Sequence, residues 1–172
     1  MAIFKPGCFV DSILEISPKI LKKNHIKSVF IDIDDTLTPH GSQVVERDVY
    51  DWINLMISNN IKLILVSNNF KRRVQKFAQK ISLPFVYLSL KPLPIGFFLA
   101  LRKAKIKKSE AVVVGDQIFT DILGANLFGM KSVLVEPKSK SRTLSLKLKR
   151  FIEKPIRNRL KKTYFCHSEE LE

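Results

Sequence analysis

Apolar residues fall along this chain in two alternating rhythms. Short, nearly continuous apolar runs occur at 28–33, 61–66, 85–87, 111–114 and 132–135, the pattern of strands buried on both faces. Between them apolar positions recur at threes and fours: Val45, Val49, Trp52, Ile53 and Met56, then Val74, Phe77, Ala78 and Ile81. That is the helical period, and 95–105 and 118–128 continue the alternation as helices. Ser17 before Pro18 starts a further short helix, with the serine as cap and the proline at the first helical position. Each connection between strands is long enough for a parallel crossover. The pattern predicts a doubly wound α/β fold with a parallel sheet of about five strands.

In such sheets ligands bind beyond the carboxyl ends of the strands, and the polar residues gather there. The first run ends in Asp32-Ile33-Asp34-Asp35-Thr36 and the second in Ser67-Asn68-Asn69. Lys91 follows the third, and Gly115-Asp116 closes the fourth, with Asp121 in the next turn. Carboxylates, a hydroxyl and an ammonium suit phosphoryl transfer, where charge on the phosphoryl oxygens must be held and a nucleophile aligned. Asp32 and Asp34 are two apart, so an extended backbone would send both side chains from one face. One can then act ionised and the other protonated. Mg²⁺ takes oxygen ligands, often one or two carboxylates with substrate phosphate, which Asp32 and Asp116 could supply. Singly, each piece has an ordinary reading: Asp-x-Asp as a turn, Ser67 as a helix cap, Lys91-Pro92 as a loop, Gly115-Asp116 as a turn. Their order, one at each successive strand end, points to a site.

These residues resemble all four motifs of the haloacid dehalogenase (HAD) superfamily of aspartate-based phosphatases. Residues 29–37 look like its Asp-x-Asp-x-Thr motif, Val66-Ser67-Asn68 like the second, Lys91 like the third and 114–121 like the acidic fourth. The resemblance implies Asp32 as the nucleophile that forms an aspartyl-phosphate and Asp34 as general acid and base. It implies Ser67, Asn68 and Lys91 as phosphoryl-binding residues. Mg²⁺ would be held by Asp32, the backbone carbonyl of Asp34 and Asp116, with Thr36 and Asp121 in support. Over nearly the whole chain the sequence is similar to the YqeG-like group (subfamily IIIA). Val66-Ser67-Asn68-Asn69, Lys91-Pro92 followed by Ile95-Gly96-Phe97, and the Gly-Asp-Gln-x-x-Thr-Asp-x-x-Gly-x-Asn stretch from Gly115 carry that likeness. The group's usual Asp-x-Asp-Asn-Thr reads Asp-Ile-Asp-Asp-Thr here, so Asp35 adds a negative charge beside the site. Relatives of the group convert phosphatidylglycerophosphate to phosphatidylglycerol, which implies a lipid substrate.

Composition adds an anionic partner to this picture. The 172 residues are 45% apolar, enough for one real core, and the net charge is +14. Residues 131–162 hold twelve Lys and Arg against two Glu, while the last ten residues carry −3. Such an excess suits a phospholipid surface, nucleic acid or a phosphorylated substrate. The chain divides into a phosphatase domain with an N-terminal helical extension at 1–137 and a basic, partly amphipathic tail at 138–172. In the tail Leu144, Leu148, Phe151 or Ile152, Ile156 and Leu160 follow helical spacing, with Pro155 expected to break or kink it into two shorter segments. Such a helix either lies on an anionic membrane or packs its apolar stripe on the domain. Phe4, Phe9 and Ile13 read as membrane contacts or as core.

Only 31 positions separate Thr36 from Ser67 and 24 separate Ser67 from Lys91, which leaves no room for a cap domain. The crevice is expected to stay open and to favour a substrate with its own bulk. No apolar run is long enough to span a bilayer and no secretory leader is evident. The reading is therefore a cytoplasmic protein, peripheral at the inner membrane surface, with Cys8 and Cys166 as reduced thiols. His25, His40 and His167 lack metal-ligand spacing. The expected activity is Mg²⁺-dependent hydrolysis of phosphatidylglycerophosphate. The alternatives are a phosphatase for a soluble phosphomonoester or phosphoprotein, and an RNA- or ribosome-associated binding protein with a vestigial site. The second lacks a recognised RNA-binding motif. A phosphate-receiving signalling domain shares the sheet but fits the Asp-x-Asp and Gly-Asp positions poorly.

Overall fold

Every residue of the run Ser28–Ile31 is buried, and the reason is its position at the centre of the sheet. The computed structural model describes residues 2–139 and 144–164. Its strands are β1 (Cys8–Val10), β2 (Ser28–Ile31), β3 (Lys62–Val66), β4 (Phe85–Val86), β5 (Ala111–Gly115) and β6 (Lys131–Val135). They form one parallel sheet in the order β1-β6-β5-β2-β3-β4. The helices are α1 (Pro18–Lys23), α2 (Arg47–Ser58), α3 (Lys71–Lys80), α4 (Ile95–Ala104), α5 (Leu123–Leu127) and α6 (Leu144–Tyr164).

Side chains alternate across the strands and so feed two cores. Val29 and Ile31 join Leu21, Trp52, Met56 and Phe77 under α1, α2 and α3. Phe30 and Ile64 join Phe97, Ala100 and Ala125 under α4 and α5. Helices thus cover both faces, which is the doubly wound arrangement expected. From β2 the chain first builds outward to β3 and β4, then returns to lay β5 on the other side of β2. The order reverses between β2 and β5, so the ends of those two strands flank the crevice where such sheets bind ligands. The connections β2–β3 and β3–β4 hold α2 and α3 respectively, and no cap is inserted in either.

The sheet has six strands rather than about five. The added one, β1, is a three-residue edge strand that pairs Cys8 with Val133 and Val10 with Val135. Three residues are too few to display a period, and the partner lies far along the chain. Phe9 and Ile13 are core residues. Cys8 is disulfide-bonded, where two reduced thiols were expected. Cys166, like His167, lies outside the described residues.

The tail helix also differs from expectation. α6 runs through Pro155 as one element. Glu153, Arg157 and Leu160 are buried on either side of the proline, and Leu160 and Ile156 pack with Phe9, Ile118, Ile122 and Leu134. That packing offsets the hydrogen bond that proline removes. The side chains of Leu144 and Leu148 lie outside the described residues.

Candidate active site

Strand pairing carries one residue past β2, where Asp32 N–H donates to Val114 O at 2.9 Å. The chain then turns, with Asp35 at φ 64°. Asp32 Oδ1 accepts from Lys91 Nζ at 2.6 Å, and the same ammonium donates to Asp121 Oδ1 at 2.6 Å and Val66 O at 2.8 Å. All three ammonium donors are therefore used. Asp32, Asp116 and Asp121 are buried, and one oxygen from each lies within 4.8 Å of the others. Burial pushes the Asp32 carboxyl up to about 7, against the pull of Lys91 and helped by Asp121 and Asp34. Asp116 is raised as well, first by burial and then by Asp32, Asp121 and Asp35. Burial opposes the charge on Lys91, but Asp121 and Asp32 outweigh it and hold the ammonium above its usual range. The cluster is short of positive charge. Asp116 Oδ1 is moreover buried without a hydrogen-bond partner among the described residues. An all-oxygen set with an orphaned carboxylate oxygen fits a divalent cation.

Asp34 takes another direction. Its carboxylate accepts from Gly41 N at 2.8 Å, Asn69 Nδ2 at 2.7 Å and Arg73 Nη2 at 2.5 Å. The strand ends at Ile31, so the extended geometry that would align Asp34 with Asp32 does not persist. His40 Nδ1 stands 3.8 Å from Asp34 and 3.9 Å from Asp35. Neither Arg73 nor His40 was marked from the sequence. Arg73 had one signal: Lys71, Arg72 and Arg73 open α3, and cations there oppose the helix dipole.

Ser67 follows β3, and its Oγ accepts from Asn69 N at 3.2 Å. The Asn68 side chain is spent on the neighbouring loop. Its Oδ1 accepts from Lys91 N and Ser89 Oγ, both at 2.8 Å, and its Nδ2 donates to Lys91 O at 3.0 Å. Asn68 therefore holds the loop that delivers Lys91. Thr36 Oγ1 is buried without a partner among the described residues. Gly115 lies so close beneath Asp121 that a Cβ there would overlap its carboxylate carbon, which is why the strand ends in glycine.

The chain is 35% identical over 167 residues to the "Probable phosphatase YqeG" of Bacillus subtilis (strain 168), covering 97% of each chain. It belongs to the HAD superfamily, in the YqeG-like group of phosphatases. A family model described as "HAD-hyrolase-like" matches residues 90–157. The fold is similar to that of an uncharacterized protein from Listeria monocytogenes serotype 4b, with TM-score 0.55 and 19% identity over 69% of this chain and 85% of that one. It is also similar to a haloacid dehalogenase-like hydrolase from Brucella suis 1330, with TM-score 0.50 and 11% identity over 73% and 88%.

In this HAD phosphatase two arginines of α6 complete the site's surroundings. Arg150 Nη2 lies 2.6 Å from Asp35 Oδ2 and 3.6 Å from Asp116 Oδ2, and its Nη1 donates to Ser139 O. Arg157, buried, donates to the backbone oxygens of Asp116 and, at 3.0 Å, Val135. Asp35 Oδ1 further accepts from Ser139 N at 3.0 Å and His40 N at 3.1 Å. The extra charge at position 35 is thus paired. Nothing local in the sequence marked either arginine among the many basic residues of the tail.

Proposed function

We propose that this chain is a Mg²⁺-dependent phosphomonoester hydrolase that works through an aspartyl-phosphate on Asp32 and takes phosphatidylglycerophosphate at the cytoplasmic face of the membrane. One arrangement supports the chemistry: Asp32, buried 2.6 Å from Lys91 and grouped with Asp116 and Asp121. Asp32, Asp116 and the backbone carbonyl of Asp34 would hold the cation. It would supply charge that offsets repulsion between the nucleophile and a phosphate dianion.

In the first step an Asp32 oxygen bonds to phosphorus while the bond from phosphorus to the leaving oxygen breaks. Asp34, after turning from Arg73 and taking up a proton from solvent, gives that oxygen its proton. In the second, water attacks the same phosphorus and loses its proton to Asp34. The acyl-phosphate bond breaks, inorganic phosphate leaves and Asp32 is restored. The Ser67 hydroxyl and Lys91 hold the phosphoryl oxygens, and a phosphoryl oxygen on Lys91 replaces one of its present acceptors. Asn68 and Asp121 position Lys91, and Thr36 supports the turn after Asp34.

The lipid part of the reading is supported by the connections that follow β2 and β3, which hold α2 and α3 and, among the described residues, no cap, an arrangement that suits a substrate carrying its own bulk. The test is phosphate release from phosphatidylglycerophosphate in vesicles, with Mg²⁺ and with EDTA, for wild type and Asp32→Asn. Release that needs both metal and Asp32 is expected. Turnover of a small soluble phosphomonoester without release from the lipid would keep the mechanism and remove the substrate. Silence on both would overturn the reaction as written.

A further inference from the structure

The loop that buries Lys91 exposes the residues around it. Leu88, Leu90, Leu93, Ile95, Phe98 and Leu99 are each 43–53% exposed. Leu88 and Leu90 have φ of 44° and 56°, the left-handed region that bulky residues avoid. The loop is nevertheless held firmly: Asn68 bonds to Ser89 and Lys91, and Gly96 N donates to Ser89 O at 3.2 Å. α4 buries Phe97 and Ala100 and leaves Ile95, Phe98 and Leu99 outside, followed by exposed Arg102 and Lys103. A groove of about 690 Å³, lined in part by Tyr87, Leu88, Leu99, Arg102 and Lys103, joins loop to helix. Contiguous exposed apolar surface of this kind marks an interaction face.

The charge around it is predominantly positive, and Glu110, which lines a groove with Phe98 and Arg102, is paired with Lys27. Residues 52–109 contain no Asp or Glu, and 70–109 hold eleven Lys and Arg. Lys71 and Arg72 are exposed at the start of α3, next to Phe70 at 75% exposure. Lys71 Nζ lies 5.9 Å from the Tyr87 ring centroid, which joins the basic helix start to the apolar loop. Both emerge from the carboxyl edge of the sheet, where Asp32 sits.

We propose that this apolar and basic rim seats the protein on an anionic bilayer, with the leucines and Phe98 in the headgroup–acyl boundary and the cations on lipid phosphates. The proposal rests on the lipid-substrate reading only for why the site faces the membrane. A second copy of the chain fits poorly, because a two-fold contact would set one strongly positive face against another. Nucleic acid fits the charge, and Phe70, Tyr87 and Phe98 offer planes for bases, but the five exposed aliphatic side chains among them suit acyl chains rather than bases.

The test is flotation of the full chain with vesicles of phosphatidylcholine alone and of phosphatidylcholine mixed with phosphatidylglycerol. Binding to the mixed vesicles is expected, weakening as salt rises. Leu93→Glu/Phe98→Glu should bind about tenfold more weakly or worse and keep wild-type turnover of a small chromogenic phosphomonoester. Arg102→Glu/Lys103→Glu should lose the preference for the anionic mixture. Wild-type protein that ignores anionic vesicles, or a double variant that binds them as well as wild type, would overturn the proposal. So would a dimer in sedimentation equilibrium that Leu93→Glu/Phe98→Glu dissolves while vesicle binding is absent. Face-dependent binding without hydrolysis of phosphatidylglycerophosphate would remove the substrate reading and keep the docking face. Hydrolysis in detergent micelles without vesicle binding would do the reverse.

Discussion

Arg150 reaches from α6 to within 2.6 Å of Asp35, 115 positions earlier in the chain. The Asp35 carboxylate is buried, so this ion pair lets an acid stand where the group usually has asparagine. Arg150→Gln should destabilise the protein by about 2–3 kcal/mol, below the loss typical of a fully buried pair because Arg150 is partly exposed. Asp35→Asn in the same chain should recover about 1 kcal/mol or more. Urea unfolding of the four proteins measures the coupling, and strict additivity would show that the pair is not coupled.

The same contact changes what removal of the tail should do. A tail that only docked on lipid would, when deleted, cost more on vesicles than on a small substrate. Deleting 140–172 here removes Arg150 and Arg157 from the surroundings of Asp35 and Asp116, and Ile156 and Leu160 from the core. Activity on a chromogenic phosphate and on vesicle lipid should fall together, with a lower Tm. Full activity on the small substrate would show that α6 is dispensable to the site.

Asp32 links stability to pH. Its carboxyl has an ordinary value of 3.8 and is held at about 7 in the metal-free fold, chiefly by burial. The folded protein therefore keeps a proton that the unfolded chain loses between those values. The stabilisation is full below about pH 4 and is lost as pH rises through about 7. Asp116 shifts in the same direction. Metal-free Asp32→Asn should thus gain on wild type by a few kcal/mol between about pH 4 and pH 8, while having no turnover. Mg²⁺ needs the ionised carboxylates, so it should raise Tm more at about pH 8 than at about pH 6. Thermal melts with Mg²⁺ and with EDTA decide it, and a pH-independent Mg²⁺ effect would count against the shift.

Lys91 places one ammonium against Asp32, Asp121 and Val66 O. Lys91→Met leaves two buried carboxylates without their cation, a loss of about 3–5 kcal/mol, and should abolish turnover. Arginine should not rescue it, because a planar guanidinium cannot reproduce three donors converging from one atom. Unfolding midpoints and single-turnover rates of the two variants test both statements.

Gly115→Ala forces a Cβ into the Asp121 carboxylate. Asp121 is fully buried and bonded to Lys91 and Gln117, so it cannot step aside cheaply. A fall of about a hundredfold in kcat/KM is expected from the misplaced Lys91. A kcat/KM within a few-fold of wild type would mean that Asp121 does not position the lysine.

The residue pattern alone determined the strand runs of β2 to β6, the helices between them and the motif residues that end four strands. Buried parallel strands and amphipathic helices leave local periodicities, and a strand end is a local place. β1 left none, being three residues long and defined by pairing with β6. Only the tertiary structure turned Asp34 toward Arg73 and Asn69, spent the Asn68 side chain on the Lys91 loop, and brought Arg150 and Arg157 beside Asp35 and Asp116. The exposed leucines around Lys91 also read, in sequence, like any apolar run. Each of these depends on the direction of a side chain or on how a distant helix packs. Long-range packing sets such directions, and no local spacing encodes them.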